Sequence, residues 1–271
     1  MSILNDSEIA SYHERGYLIP EYRVPADRIA ALRAALDRLI AENPGVRPEQ
    51  LISVHVETPD GSANAEGTRG DRQFLDLASS EALLDVVEGV LGPDIILWGC
   101  AMFCKPPADG MRVPMHQDGH YWPIRPLATC TVWIALEDSD RENGCLRVVP
   151  GSHRNRELFG HTTETGHVAL SEQIVSDAYD ADNVVDVELE AGQMSLHDVY
   201  MIHGSEPNCS DRRRSGLAVR YMPATSYWDR SHVTPDASEL VVDYSSRPLW
   251  LLRGRDVSGR NDFAAGHFGN G

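Results

Sequence analysis

The sequence has few cysteines and no CxxC pair. Its five cysteines are scattered along the chain: Cys100, Cys104, Cys130, Cys145 and Cys209. An odd, scattered set argues against a disulfide framework and against a thiolate zinc site. Cys100 and Cys104 share one face of a predicted strand, so we expect them to pack in the core. This cysteine usage fits a reducing compartment, and we expect a cytoplasmic protein.

The sequence also lacks a long hydrophobic run and an excess of positive charge. Its longest apolar stretch, residues 94–103, is too short to cross a bilayer. The opening MSILNDSEIASYHERG has no basic segment followed by an apolar one, so we expect no signal peptide. With 24 Lys and Arg against 41 Asp and Glu, the net charge is −17. Such a chain repels phosphate, which argues against nucleic acid and anionic membranes as partners.

What the chain does contain begins with helical patterns. A helix is predicted to start at Asp6 and end near Gly16, followed by a strand over Tyr17–Ile19. A second helix begins at Pro25, with apolar residues at helical spacing as far as residue 40. Residues 57–71 are rich in Gly, Ser, Asp and Thr and predict a long mobile loop. Helical spacing returns from Phe74 to Leu91 and stops at a Gly-Pro pair.

From residue 95 onward the pattern changes to short apolar runs separated by turns. These predicted strands cover residues 95–105, 129–136, 145–149, 184–189, 194–196 and 215–221. Many short strands in one stretch are typical of a β-sandwich or barrel. The sequence therefore predicts a mainly β protein with flanking helices, in one domain.

Three residues form a candidate metal site. His116 and Asp118 are two positions apart, so an extended chain directs both side chains to one face. A further histidine, His203, lies far downstream, and His197 is an alternative to it, because their even spacing could place both on one strand face. Two imidazoles and one carboxylate are the ligand set of non-haem Fe(II) oxygenases, since they leave the opposite face of the metal open.

An arginine follows the last of these residues at a short interval. Arg214 stands eleven positions after His203, within a run of three arginines. One hairpin could span this interval and set the guanidinium beside the metal on the next strand. An α-keto diacid would chelate the metal through one end, and its far carboxylate would need a bidentate cation, for which arginine is suited.

These motifs together resemble the phytanoyl-CoA dioxygenase family of Fe(II)/2-oxoglutarate oxygenases. The matching segments are His116–Pro126, Asn143–His153, Ile202–Ser205 with Arg214, and the upstream Lys105–Pro107. The resemblance covers most of the chain and implies a double-stranded β-helix core, the jelly roll of cupin-like proteins. We expect residues 1–271 to form one such domain, with helices in residues 1–92 packed on a core of about residues 93–225.

The resemblance implies roles for individual residues. His116, Asp118 and His203 match the iron ligands, and Arg214 matches the residue that binds the 2-oxoglutarate carboxylate. Further matches line the co-substrate: Gln117, Trp133 and Ser205. The family has one more basic contact upstream of the motif, for which Arg69 or Arg72 could serve. Candidate substrate contacts are His120, Tyr121 and Trp122, and the loops over residues 57–71 and 154–173 are where we expect substrate choice to lie.

The implied activity is that of a dioxygenase using Fe(II), 2-oxoglutarate and O2. It would hydroxylate an aliphatic carbon of a small-molecule metabolite and release succinate and CO2. Asp118 favours hydroxylation over halogenation, because halogenating relatives carry a small residue there. Two alternatives stay open: a barrel that binds a ligand without catalysis, and a zinc hydrolase in the same pocket. The sequence leaves open the substrate, the choice among hydroxylation, desaturation and ring formation, and the oligomeric state.

Overall fold

A computed structural model describes residues 3–175, 177–232 and 245–267. Four α-helices occur in this part of the chain: α1 (Asp6–Arg15), α2 (Ala26–Glu42), α3 (Arg72–Ala78) and α4 (Glu81–Leu91). The first begins with a capping box, in which the Asn5 side chain accepts from the Glu8 backbone and the Glu8 carboxylate accepts from the Asn5 backbone. It ends at Gly16, which adopts a left-handed conformation. The predicted first two helices are thereby confirmed.

The helical spacing predicted over Phe74–Leu91 is confirmed, but it is divided between two helices. The first one ends at Ser79, and Ser80 is the N-cap of the second. The Ser80 hydroxyl donates to the Leu77 carbonyl at 2.7 Å. Serine side chains compete for backbone hydrogen bonds and so favour helix ends over helix interiors, which explains the break.

The described chain also contains fifteen strands. In chain order they are β1 (Tyr17–Leu18), β2 (Leu51–Ile52), β3 (Ile95–Lys105), β4 (Val113–Gln117), β5 (Ile124–Arg125), β6 (Cys130–Ala135), β7 (Leu146–Val148), β8 (His161–Thr163), β9 (Glu172–Ile174), β10 (Val185–Val187), β11 (Met194–Asp198), β12 (Ile202–Ser205), β13 (Arg214–Pro223), β14 (Tyr227–Trp228) and β15 (Trp250–Arg253). Each of the six apolar runs from residue 95 onward overlaps one of these strands, so the β-rich centre is confirmed.

Two antiparallel sheets form the jelly-roll core. The larger sheet has the order β1-β11-β6-β13-β3-β15, with β2 also paired to β3, and the smaller has the order β10-β7-β12-β4. Two short pairs, β14 with β5 and β8 with β9, stand outside them. The mainly β class and the cupin-like core agree with the predictions. The larger sheet extends beyond residues 93–225, because β1, β2 and β15 add to its edges.

The side-chain alternation of β13 separates the core from the site. Leu217, Val219 and Tyr221 pack in the main apolar cluster with the four helices. The alternate residues on the same strand include Ala218, which packs between the two sheets. Successive side chains of a strand point to opposite faces, so one face of β13 is closed by helices and the other faces the smaller sheet. Cys100 and Cys104 are buried in the helix-side cluster, as predicted.

The loop over residues 57–71 has no helix or strand, as predicted, but it is anchored by buried side chains. The Asn64 amide donates to the backbone carbonyls of Ser53 and Val56. Glu66 forms a 2.7 Å ion pair with Arg247, and both side chains are nearly buried. The predicted mobility of this loop therefore does not fit its packing. Among the described residues, no helix combines the length and apolar character needed to cross a membrane.

Candidate active site

The two sheets bring the three predicted metal donors together. Strands β4 and β12 are antiparallel neighbours, and their register places His203 directly opposite His116. Asp118 follows β4 immediately, in the short 3₁₀ turn Asp118–His120. All three side chains are buried, with exposed fractions of 3%, 5% and 6% for His116, Asp118 and His203.

Their donor atoms surround one point. The Asp118 Oδ1 atom lies 3.6 Å from His116 Nε2 and 3.9 Å from His203 Nε2. One donor atom from each of the three residues can be chosen so that all lie within 4.8 Å of one another. Within the described chain, this is the group of histidine, cysteine, aspartate and glutamate side chains whose geometry suits a metal ion. The set of two nitrogens and one oxygen fits Fe(II).

Backbone carbonyls orient both imidazoles. The Nδ1 of His116 is 2.8 Å from the Pro114 carbonyl, and the Nδ1 of His203 is 3.0 Å from the Met201 carbonyl. A carbonyl can only accept, so each Nδ1 carries the proton and each Nε2 presents a lone pair to the centre. Burial, and then the nearby His116, hold the pKa of His203 well below its usual value, which keeps the ring neutral and able to ligate.

Asp118 is held as a carboxylate. Burial by itself would raise its pKa, but His203, His116 and His197 together with the charge of Arg220 outweigh burial and hold the pKa well below its usual value. The Thr131 hydroxyl donates to Oδ2 at 3.2 Å, on the side away from Oδ1. One carboxylate oxygen is thus fixed by β6, and the other faces the two Nε2 atoms.

His197 lies beside this group but outside it. It is on β11 of the larger sheet, whereas His203 is on β12 of the smaller sheet, so the two do not share a strand face. Its Nε2 is 3.7 Å from Asp118 Oδ2, the oxygen opposite the two other histidines. The three-donor group therefore contains His203 and not His197.

Arg214 reaches the same cavity by a different route from the predicted hairpin. Strand β13 pairs with β3 and β6 in the larger sheet and does not pair with β12. The chain thus crosses from one sheet to the other between His203 and Arg214. Arginine and histidine face each other across the cavity, which the jelly-roll crossing explains and a hairpin does not.

The Arg214 guanidinium is buried and fully oriented. Its Nε and Nη2 donate to the Gly144 carbonyl at 3.0 and 2.8 Å, and its Nη1 donates to the Phe103 carbonyl at 3.0 Å. Its exposed fraction is 2%, and no carboxylate of the described chain lies within ion-pair distance. Burial lowers its pKa to about 10, so it remains charged at neutral pH.

Three neighbours of Arg214 complete this part of the site. Ser205 accepts a 2.7 Å hydrogen bond from the Lys105 Nζ. Burial, and then the charge of Arg214, lower the pKa of Lys105 to about 6. The Trp133 ring lies 5.3 Å from the Arg214 guanidinium carbon. A side chain at Gly216 would place its Cβ 1.8 Å from this ring, so only glycine allows Trp133 to lie against β13.

Four of the remaining predicted contacts line the cavity, and Gln117 does not. Trp133, Ser205, Tyr121 and Trp122 all line the cavity. Gln117 does not: its amide donates to the Glu157 and Tyr200 carbonyls and accepts from the Phe159 backbone. The reason is strand alternation, because a residue between two inward-facing neighbours points outward.

His120 and the two upstream arginines also lie away from the cavity wall. His120 pairs with Glu172 at 2.8 Å and stacks on His161, with ring centroids 4.1 Å apart. Arg69 and Arg72 are exposed, and Arg72 pairs with Asp76 on its own helix. The basic side chain near Arg214 is Lys105 instead. Lys105 begins the Lys-Pro-Pro segment that resembles the family, for which no role was predicted from the sequence.

One cavity of about 400 Å³ joins these side chains. Beyond the metal donors, its far wall contains residues that sequence reasoning did not assign: Trp98, Arg220, Trp228 and Arg247. Alternation from Arg214 along one predicted strand could have placed Arg220 on the same face, whereas no local pattern marks Arg247. Both loops expected to govern substrate choice reach the wall, through Glu66 and through Ala169–Ser171.

A model of a known protein family matches most of this chain. The family model for phytanoyl-CoA dioxygenase (PhyH) matches residues 12–216. The peroxisomal phytanoyl-CoA dioxygenase of Bos taurus is 25% identical over 285 residues, covering 95% of this chain and 84% of the relative.

Solved structures show the same fold. The non-heme monooxygenase ThoJ superposes with a TM-score of 0.68 at 24% identity, covering 92% of this chain and 84% of that one. The epimerase SnoN, in complex with Fe3+, alpha ketoglutarate and nogalamycin RO, superposes with a TM-score of 0.61 at 22% identity, covering 88% and 92%. At these identities the likeness supports the jelly-roll architecture.

Proposed function

The chain belongs to the phytanoyl-CoA dioxygenase family of Fe(II)/2-oxoglutarate-dependent oxygenases, and on this premise we propose that it hydroxylates an aliphatic carbon of a small-molecule metabolite. Its cofactor is Fe(II), and its co-substrates are 2-oxoglutarate and O2. The SnoN complex, with iron and alpha ketoglutarate in a related fold, supports the same cofactor set for this chain.

The observation that carries the proposal is the meeting of a three-donor group and a buried arginine in one cavity. His116, Asp118 and His203 would hold Fe(II) on one face, leaving the opposite face for exchangeable ligands. Arg214, across the cavity on β13, would take the far carboxylate of 2-oxoglutarate. Ser205 would add a hydroxyl contact beside it, and the Lys105 amine donates to that hydroxyl.

The bound iron supplies oxygen activation coupled to the oxidative decarboxylation of 2-oxoglutarate to succinate and CO2. The protein's own residues position the reactants. The carbonyls of Pro114 and Met201 keep both imidazoles in the ligating tautomer. The Gly144 and Phe103 carbonyls hold the Arg214 guanidinium in place before any ligand arrives, so little ordering remains to be done on binding.

Aromatic and aliphatic side chains limit water in the same space. Trp133 covers the co-substrate end, and Trp122 and Tyr121 cover the side beyond the metal donors. A reactive site enclosed in this way favours attack on the bound substrate over side reactions with solvent.

The direct test is anaerobic reconstitution of the purified protein with Fe(II) and 2-oxoglutarate. We expect the visible charge-transfer absorption of an Fe(II)–keto acid chelate, and on admission of O2 we expect succinate and CO2 in equal amounts. A His116→Ala variant serves as the metal-site control and should show neither. Absorption that never forms in the native protein would contradict the proposal. Activity with Zn(II) and no oxygen uptake would favour the hydrolase alternative, and binding without succinate would favour the non-catalytic one.

A further inference from the structure

The cavity has a second cationic end, which the co-substrate would not occupy. We call it the indole end and define it by Trp98, Trp122, Trp228, Arg220 and Arg247, all of which line the cavity. The Trp98 and Trp122 rings are 4.3 Å apart in an edge-to-face arrangement, and Trp98 and Trp228 are 5.3 Å apart. The Trp98 Nε1 donates to the Thr129 hydroxyl at 3.0 Å, which fixes this indole.

The two arginines of this end differ in how their charges are matched. Arg247 pairs with Glu66 at 2.7 Å and donates to the Ser53 hydroxyl at 3.2 Å. Arg220 has no carboxylate of the described chain within 4.0 Å, and its Nε is buried without a hydrogen-bond partner. Its guanidinium carbon lies 5.0 Å from the Trp122 ring and 5.6 Å from the Trp98 ring.

Arg220 is half-buried, and a cation in this position without an ion pair favours a bound anion. Arginine cannot lose its proton under ordinary conditions, so it stays charged wherever it is buried. Burial lowers the pKa of Arg220, which means that its surroundings disfavour the charge. The indole faces compensate in part by cation–π attraction, but they accept no hydrogen bond from the Nε. The nearby Asp118 carboxylate favours the charged form of Arg220, but it lies beyond ion-pair distance and Thr131 donates to its Oδ2, so the guanidinium keeps no direct anionic partner in the described chain.

We propose that Arg220 binds a carboxylate of the primary substrate, and that the apolar body of this organic acid lies against Trp98, Trp122 and Trp228. This inference rests on the proposed oxygenase function and deepens it by naming the substrate class. It does not assign a further role to Arg214, which serves the co-substrate.

The position of Arg220 relative to the metal donors fits this role. Arg214 and Arg220 are on the same face of β13, six residues apart, which is about 20 Å along a strand. Arg220 is paired with Thr131, whose hydroxyl donates to Asp118. On the other side, Arg214 Nη2 lies 3.4 Å from the hydroxyl of Ser205, two residues after His203 on β12, so the donor group stands between the two arginines. An acid held at Arg220 would extend its carbon skeleton toward the metal from the side opposite 2-oxoglutarate.

The test uses three acids with their primary amides as matched probes: 3-phenylpropionate, cyclohexanecarboxylate and decanoate. Each is titrated anaerobically into the protein already saturated with Fe(II) and 2-oxoglutarate, which keeps the Arg214 end occupied. Binding is read from tryptophan fluorescence and from the change in the Fe(II)–keto acid absorption. We expect at least one acid to bind ten or more times as tightly as its amide.

Three variants assign any preference for the acid. Arg220→Gln should reduce acid binding to the level of the amide, and Arg220→Lys should retain part of the preference. The matched control is Arg212→Gln, an exposed arginine paired with Asp140 and Glu142, which should bind acids as the native protein does. All three variants should keep the Fe(II)–keto acid absorption, which also reports that they are folded.

The outcomes separate this inference from the proposed function. If the absorption does not form in the native protein, the oxygenase proposal fails. If it forms but no acid binds, or acids and amides bind equally, the carboxylate inference is overturned and the oxygenase proposal stands. A preference that survives in Arg220→Gln would also overturn the assignment to Arg220.

Discussion

Strand β13 carries two arginines with different hydrogen bonding: Arg214 is buried, and Arg220 is half-buried. Arg214 donates three hydrogen bonds to the carbonyls of Gly144 and Phe103. Arg220 packs between two indoles, and its Nε makes no hydrogen bond. Both face one cavity, and both have a pKa lowered by burial.

The difference indicates two kinds of ligand. A guanidinium fixed by the backbone presents one geometry, which suits a co-substrate that is the same in every turnover. A guanidinium that lacks hydrogen-bond partners gains most from a ligand that supplies them. The wall around Arg220 is also mostly aromatic, so shape and apolar area can select the remainder of the molecule.

The largest expected effect is the loss of succinate formation when one of the three candidate metal donors is replaced. Replacing His203 by alanine removes one of three metal donors and leaves the other two buried without a metal. We expect succinate formation below about 1% of the native rate, because the chemistry depends on the bound metal. Metal content by elemental analysis and succinate release measure this. The matched control is His197→Ala, which alters a neighbouring imidazole outside the donor group. Equal metal loss in both variants would contradict the assignment of His203.

The next largest effect is a difference in the free energy of unfolding between variants of Arg214 and of Arg220. Arg214→Met removes the donors of two buried carbonyls, and we expect the free energy of unfolding to fall by about 2–4 kcal/mol. Arg220→Met removes a guanidinium whose Nε has no hydrogen-bond partner. We therefore expect the free energy of unfolding either to change by less than about 1 kcal/mol or to rise. Urea denaturation of both ligand-free variants measures the difference. Equal losses would show that the two arginines are equally satisfied and would remove the basis of the comparison.

A smaller effect concerns 2-oxoglutarate alone. Arg214→Gln keeps a hydrogen-bond donor but loses the bidentate cation, so we expect the KM for 2-oxoglutarate to rise about 10- to 100-fold. The kcat at saturating 2-oxoglutarate should change much less. Steady-state kinetics of succinate release gives both values, with Arg212→Gln as the exposed control. A larger rise in KM for Arg220→Gln than for Arg214→Gln would exchange the roles of the two ends.

The smallest effect is a proton taken up at the Arg214 end. Burial lowers the pKa of Lys105 to about 6, so at pH 8 the amine is mostly neutral. The carboxylate of bound 2-oxoglutarate favours the charged amine and raises this pKa, so binding at pH 8 should take up part of one proton. Calorimetric titration in two buffers of different ionisation enthalpy measures this uptake. At pH 5 the amine is already protonated and the uptake should vanish, as it should in Lys105→Met at either pH.

The fold followed from local sequence patterns to a large extent. The apolar run over residues 95–105 coincides with β3, and the cap at Asn5 and the turn at Gly16 mark the bounds of α1. The break between α3 and α4 was missed, because two adjacent serines in an apolar pattern carry a weak signal against the helical period. The strand predicted over Tyr17–Ile19 corresponds to β1, whereas the edge strands β2 and β15 are two and four residues long, which is too short for alternation to identify them.

The grouping of the three candidate metal donors could be predicted from sequence, but their surroundings could not. The spacing of His116 and Asp118 is local, whereas the approach of Arg214 depends on a crossing between two sheets. Gln117 was predicted to line the co-substrate but points away from the cavity. Its position between His116 and Asp118 on an extended segment could have predicted this. Arg247 reaches the cavity from beyond residue 244 and pairs with Glu66 in a distant loop, a contact that only the tertiary fold creates.

The most direct test of the central claim is a crystal structure of the protein loaded anaerobically with Fe(II) and 2-oxoglutarate. The account predicts iron within bonding distance of His116, Asp118 and His203, with the far carboxylate of 2-oxoglutarate on Arg214 and Arg220 left free for a second acid. Iron bound through His197 in place of His203, or the diacid lying with its far carboxylate on Arg220, would contradict it.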